Sequence, residues 1–150
     1  MKSKFYILFA IIGTLLLPYK SSLAQKKDPI RVKIEWVSFV TESIIRVECG
    51  QFRNSFGSHD EVKIFNDKAH LLKFGELLRS SIDSKTELSF DTRGEVTFYY
   101  EHSQVRYCFD PKGQIIQDGQ MVQNKELIKY IFRAILSKEE ADYYINSIVQ

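Results

Sequence analysis

The chain has 150 residues, 44% of them hydrophobic and 27% charged, which suits one domain with its own core. Its 21 basic and 19 acidic residues give a net charge of +2, but three of the basic residues lie in the first 24 positions, so residues 25–150 carry −1. Because such a domain lacks the basic surface that binds phosphates, we predict no nucleic-acid partner.

The first 24 residues have the pattern of a cleaved signal peptide. Two lysines precede an apolar run of 13 residues that ends at Pro18. A membrane-spanning helix needs about 20 apolar residues, so a permanent anchor is not expected. Small residues at Ser22 and Ala24 predict cleavage after Ala24. We therefore predict a secreted or periplasmic protein with one domain, residues 25–150, and no stable membrane insertion after cleavage.

Alternating side chains predict that the domain begins with a β-hairpin. Apolar and polar residues alternate in 30–40 and again in 44–49, as expected for half-buried strands. A turn at residues 42–43 places the apolar sets of both strands on one side of the sheet, with Trp36 opposite Cys49.

The next part of the chain predicts a loop, a short strand and a helix. The polar, glycine-containing stretch 50–61 is typical of a loop or an irregular edge, and 62–65 of a short strand. Apolar residues recur at steps of three and four in 66–82, which predicts a helix whose first amides are capped by Asn66 or Asp67.

Three further strands are predicted at 86–90, 95–100 and 104–109. A turn at His102-Ser103 would pair Phe98 with Tyr107 on an apolar face. Tyr99 and Arg106 then face each other on the other side of the sheet, which also carries Cys108.

The chain ends with a short strand pair and two helices. A turn at Asp118-Gly119 predicts the strand pair in 114–123, and an asparagine cap begins the helix 124–136. Ser137 and Glu140 have capping-box spacing at the start of the helix 137–149. The predicted fold is α+β: an antiparallel sheet of about five to six strands with helices packed on one face, in the order β-β-β-α-β-β-β-α-α.

The two cysteines leave alternatives open. A pair of cysteines in an exported chain favours a Cys49–Cys108 disulfide. The predicted strands oppose the bond, because Cys49 falls on the Trp36 face and Cys108 on the face opposite the apolar set of its own hairpin. A bulge near Gly50 or an edge position would permit it. Otherwise Cys108 is a small strand residue, since a nucleophile needs a base nearby and His102 lies six residues away, about 20 Å along a strand.

No metal site and no cofactor is predicted. The three histidines, His59, His70 and His102, lack ligand spacing, and the cysteines form no C-x-x-C pair. Asp91 and Asp110 open the stretches DTRG and DPKG, where an aspartate side chain caps the amides of a turn.

The hypothesis that fits best is a non-enzymatic binding domain. It would contact another protein or an envelope component through an open sheet face and the adjacent 50–61 loop. The candidate contact residues are Tyr99 and Arg106 on the sheet and Phe52 and Phe56 in the loop, because tyrosine and arginine are enriched at binding hot spots.

Two other classes of function are compatible with the sequence. A small secreted hydrolase would assemble its site from His59, Asp91, Asp110 and Cys108. A carrier of apolar ligands would instead hold its cargo between sheet and helices, in a cavity lined by Phe74, Phe98 and Ile131.

Overall fold

The computed structural model describes residues 27–41, 43, 45–57, 60–84 and 90–149. The predicted signal peptide, His59 and residues 86–89 of a predicted strand lie outside these ranges. Within them, no helix is long and apolar enough to cross a bilayer.

The described residues form one antiparallel sheet of seven strands. The strands are β1 (Arg31–Trp36), β2 (Glu61–Phe65), β3 (Ile82–Ser84), β4 (Gly94–Tyr99), β5 (Gln104–Phe109), β6 (Ile115–Gln117) and β7 (Gln120–Gln123). They are arranged in the order β2-β1-β4-β5-β6-β7-β3, and each neighbouring pair is antiparallel. The central strands are β4 and β5, and β2 and β3 are the edges.

Three helices cover one face of this sheet, which we call the helix face. They are α2 (Lys68–Arg79), α3 (Lys125–Ile135) and α4 (Lys138–Val149). Between sheet and helices lies the main core, whose fully buried members include Ile34, Phe98, Phe109, Phe74, Ile131 and Phe132. The α+β class and the segregation of strands from helices are confirmed.

The predicted hairpin of 30–40 with 44–49 is wrong. β1 pairs instead with β2 and β4, and a 3₁₀ turn (Cys49–Gln51) and a short helix, α1 (Phe52–Phe56), follow Val47. This segment packs against the second face of the sheet. Its buried residues Val47, Phe52 and Phe56 join Val37 in a small core of their own. The alternation of apolar and polar residues could not predict which strands pair with β1, because the same pattern fits any antiparallel partner.

The predicted hairpin of 95–100 with 104–109 is present, but its register differs by two residues. Val96 faces Tyr107 and Phe98 faces Val105. The turn lies at Glu101-His102, closed by a hydrogen bond that the Tyr100 N–H donates to the Ser103 carbonyl. A shift of two residues keeps every side chain on its predicted face but changes its partner. Tyr99 therefore faces Gln104, and Arg106 faces Thr97.

The helix starts follow the predicted caps. The side chains of Asp67 and Asn124 accept hydrogen bonds from the backbone N–H groups three residues further on. Ser137 and Glu140 exchange hydrogen bonds as a capping box. The β6–β7 connection turns at Asp118 and Gly119, whose φ angles of 49° and 77° suit a tight hairpin turn.

Candidate functional site

A disulfide joins the 3₁₀ turn to the central sheet. Cys49 and Cys108 are bonded, with their Cα atoms 5.6 Å apart. Cys108 lies on the second face, as predicted, whereas Cys49 lies above that same face and not beside Trp36. The prediction that Cys49 lies on the Trp36 face, which opposed the bond, was therefore wrong. Because its sulfur is in the bond, Cys108 is not a nucleophile.

Next to the disulfide lies a cluster of charged side chains that sequence analysis missed. Glu35 of β1 and Glu95 of β4 face each other in the sheet, and both accept a hydrogen bond from Nη2 of Arg53 in α1. Nζ of Lys33 lies 2.7 Å from Glu35 Oε1, and Nη1 of Arg106 lies 3.8 Å from Glu95 Oε2. The sequence offered little indication of this cluster, because Glu35 fits the polar side of an ordinary strand.

The two carboxylates of this cluster have different electrostatic surroundings. Burial raises the pKa of Glu95, whose side chain is 1% exposed, despite the charges of Arg106 and Arg53. Burial acts in the same direction on Glu35, but the hydrogen bond from Lys33 and the charges of Arg53 and Lys33 hold its pKa below the usual value. Because Arg53 donates a hydrogen bond to both carboxylates, these charged side chains link α1 to the sheet. We call them the Arg53 cluster.

A groove opens beside the Arg53 cluster, along β5. β6 pairs with β5 only at Cys108 and Phe109, and it ends at Gln117. The resulting cavity, which we call the β5 groove, has a volume of about 630 Å³ and is lined by Cys49, Gly50, residues 103–107 and residues 117–119. Its size is within the range of ligand-binding sites. The side chain of Arg106 is 44% exposed there.

The predicted contact residues lie in different environments. Arg106 lines the groove, and Tyr99 lies half-buried on the same face. The cation over the Tyr99 ring is Arg31, 4.6 Å from the ring centre, and not Arg106. Phe52 and Phe56 are 1% and 9% exposed and pack against each other, so they support the fold of the loop and are not available to a partner.

The residues of the hydrolase alternative have structural partners. Asp91 accepts a hydrogen bond from the Val47 N–H and forms an ion pair with Arg93. Asp110 caps its turn by accepting from the Gln114 N–H, and Cys108 is in the disulfide. Across the ranges that the structure covers, no three histidine, cysteine or acidic side chains form a group suited to a metal ion.

The residues of the carrier alternative are packed core. Phe74, Phe98 and Ile131 are each 0% exposed, and the rings of the first two meet edge to face with centroids 5.7 Å apart. They fill the space between sheet and helices in which a ligand would have to lie.

Comparison of the chain with protein-family models, with curated proteins and with solved structures finds no match.

The buried turn aspartate gives a prediction for the pH dependence of stability. Burial raises the pKa of Asp110 to about 6, above the value of 3.8 for an unperturbed group. Its contribution to stability is thus largest below pH 4 and is lost as the pH rises to 6. Asp110→Asn keeps an oxygen that can accept from the Gln114 N–H. Between pH 4 and pH 7, we expect its free energy of unfolding to rise by about 2–3 kcal/mol relative to that of the unsubstituted protein.

Urea unfolding at a series of pH values measures this difference. Asp118→Asn, at an exposed turn, is the matched control for the replacement of an aspartate by asparagine. A flat difference for Asp110→Asn would show that the carboxyl titrates normally in the fold.

Proposed function

We propose that the protein is an exported, non-enzymatic binding domain that holds a segment of another protein or of an envelope component in the β5 groove. The observation that carries this proposal is the groove itself: an open cavity beside β5, with the disulfide-held turn at Cys49 and Gly50 as one wall and an exposed arginine in its lining. The disulfide holds Cys49, which is part of one wall, against the sheet.

The charges favour a carboxylate on the partner. Among the described residues, the nearest acid to the Arg106 guanidinium is Glu95, and Arg53 already binds that carboxylate. Arg106 therefore has N–H donors to spare for a ligand, and arginine binds carboxylates through two parallel hydrogen bonds. Gln104, exposed two residues away on the same face, adds an amide donor and acceptor.

Two observations support export and a role without catalysis. Disulfides persist in oxidising compartments outside the cytosol, which agrees with the predicted signal peptide. In addition, three of the four groups of the hydrolase alternative, Asp91, Asp110 and Cys108, each have a structural role.

Site-specific photo-crosslinking tests the proposal. A photoreactive amino acid is placed at Gln104 in the groove or, as a control, at Glu139 on the exposed side of α4, and the protein is crosslinked in the cells that produce it. We expect one defined partner at Gln104 and none at Glu139. The adduct must form again from the purified components.

Arg106→Glu should reduce the Gln104 adduct at least tenfold, because the substitution replaces attraction for a carboxylate by repulsion. Arg133→Glu, an exposed arginine on the helix layer, should leave it unchanged. Equal adducts at Gln104 and Glu139, or no adduct at either position, would contradict the proposed function.

A further inference from the structure

The edge strand β2 has an unusual surface for an exposed sheet edge. No strand of the described residues pairs with its outer side. Val62 and Ile64, both on the second face, are 50% and 48% exposed. Exposed apolar edge strands are templates for pairing with another chain, and proteins usually protect them with charged side chains such as lysine.

The one lysine of β2 does not protect the edge in this way. Lys63 lies on the helix face, where its Nζ donates a hydrogen bond of 2.6 Å to the Ala134 carbonyl near the end of α3. There the ammonium group also interacts favourably with the helix dipole. The second face of the edge is therefore left with two apolar side chains.

The sequence of β2 is complementary to itself. If two copies pair antiparallel about a twofold axis at Lys63, Val62 of each copy faces Ile64 of the other, so that two apolar cross-strand pairs form. Lys63 and its copy then face each other on the helix face, but each is bound to its own α3. Glu61 of the opposite copy is the diagonal neighbour of Lys63, which places opposite charges close together twice.

We propose that the protein forms a symmetric dimer through β2, in which two seven-stranded sheets join into one continuous sheet. The partner that binds this edge is a second copy of this chain, because a single alignment brings together Val62 with Ile64 and also Lys63 with Glu61. The second faces of both copies, each with its Arg106, then lie on the same side of the joined sheet. This proposal is independent of what the groove binds.

Sedimentation velocity of the purified protein over a wide concentration range tests the dimer. We expect a reversible transition to twice the monomer mass, and at least a tenfold weaker association for Ile64→Lys. Ile45→Lys, at an apolar residue that is 70% exposed away from the edge, is the matched control and should associate normally. Circular dichroism establishes that the variants are folded.

The register has its own test. Val62→Cys and Ile64→Cys proteins, mixed under mild oxidation, should form a crosslinked heterodimer at least tenfold faster than either variant crosslinks with itself, because only residues 62 and 64 face each other. A monomer at every concentration, an association unaffected by Ile64→Lys, or equal crosslinking of the mixed and single variants would each overturn the proposal. A different protein crosslinked to residue 64, without self-association, would assign the edge to another partner and overturn it too.

Discussion

Replacing both Cys49 and Cys108 by alanine is expected to lower the free energy of unfolding by about 4 kcal/mol. The bond closes a loop with a sequence separation of 59 residues, and opening so long a loop returns much conformational freedom to the unfolded chain. Since small domains are stable by only about 5–15 kcal/mol, the loss is a large fraction of the total. Urea unfolding of the oxidised protein and of the double variant measures it.

The unsubstituted protein under reducing conditions is the control for this experiment. Reduction removes the crosslink but leaves both side chains, so its unfolding midpoint should lie close to that of the double variant. A loss below about 1 kcal/mol in both samples would mean that the bond adds little to the stability of the fold. A loss in the double variant alone would point to the missing sulfur atoms, and not to the crosslink.

Removing the arginine that joins the two buried carboxylates is expected to have an effect of similar size. We expect Arg53→Met to lower the free energy of unfolding by about 3 kcal/mol at neutral pH, because it leaves Glu35 and Glu95 facing each other with one cation fewer. Denaturant unfolding at pH 5 and pH 8 measures the effect.

The pH dependence of this variant has a definite sign. Burial already raises the pKa of Glu95, and the loss of Arg53 raises it further. An acid whose pKa is raised in the folded state stabilises the fold at low pH, and that contribution is lost as the pH rises through the raised pKa. The defect of Arg53→Met should therefore be larger at pH 8 than at pH 5.

Two companion variants make this prediction specific. Arg53→Met/Glu95→Gln should recover most of the lost stability, because the buried carboxylate that loses the Arg53 hydrogen bond is replaced by a neutral amide. Arg46→Met, at an exposed arginine earlier in the same segment, should change the free energy of unfolding by less than about 0.5 kcal/mol. If Arg53→Met behaves like Arg46→Met, then the cluster does not fasten α1 to the sheet.

Both experiments also bear on the proposed function. The disulfide and the Arg53 cluster are two of the links that hold the 3₁₀ turn and α1 against the second face. Cys49 and Gly50 of that turn form one wall of the β5 groove. We therefore expect variants that weaken either link to reduce crosslinking from Gln104, even under conditions where the sheet remains folded.

Part of the candidate site was predictable from the sequence. Arg106 was placed on the second face by the alternation of its hairpin, and it lines the groove. Its partner was not predictable, since a shift of two residues preserves every face while changing each cross-strand pair. Phe52 and Phe56 were expected to contact a partner, but they are buried in a core that exists only because 45–57 packs on the sheet.

The sequence by itself determined the α+β class, the helices α2 to α4 with their caps, and the faces of β4 and β5. These features depend on side-chain periodicity and on hydrogen bonds between residues a few positions apart. Only the tertiary structure decided the partners of β1, the disulfide and the Arg53 cluster. The strand pairs of β1, the disulfide and the hydrogen bonds of Arg53 all join residues at least 18 positions apart, and the polar alternation of a strand is the same whichever distant segment covers it.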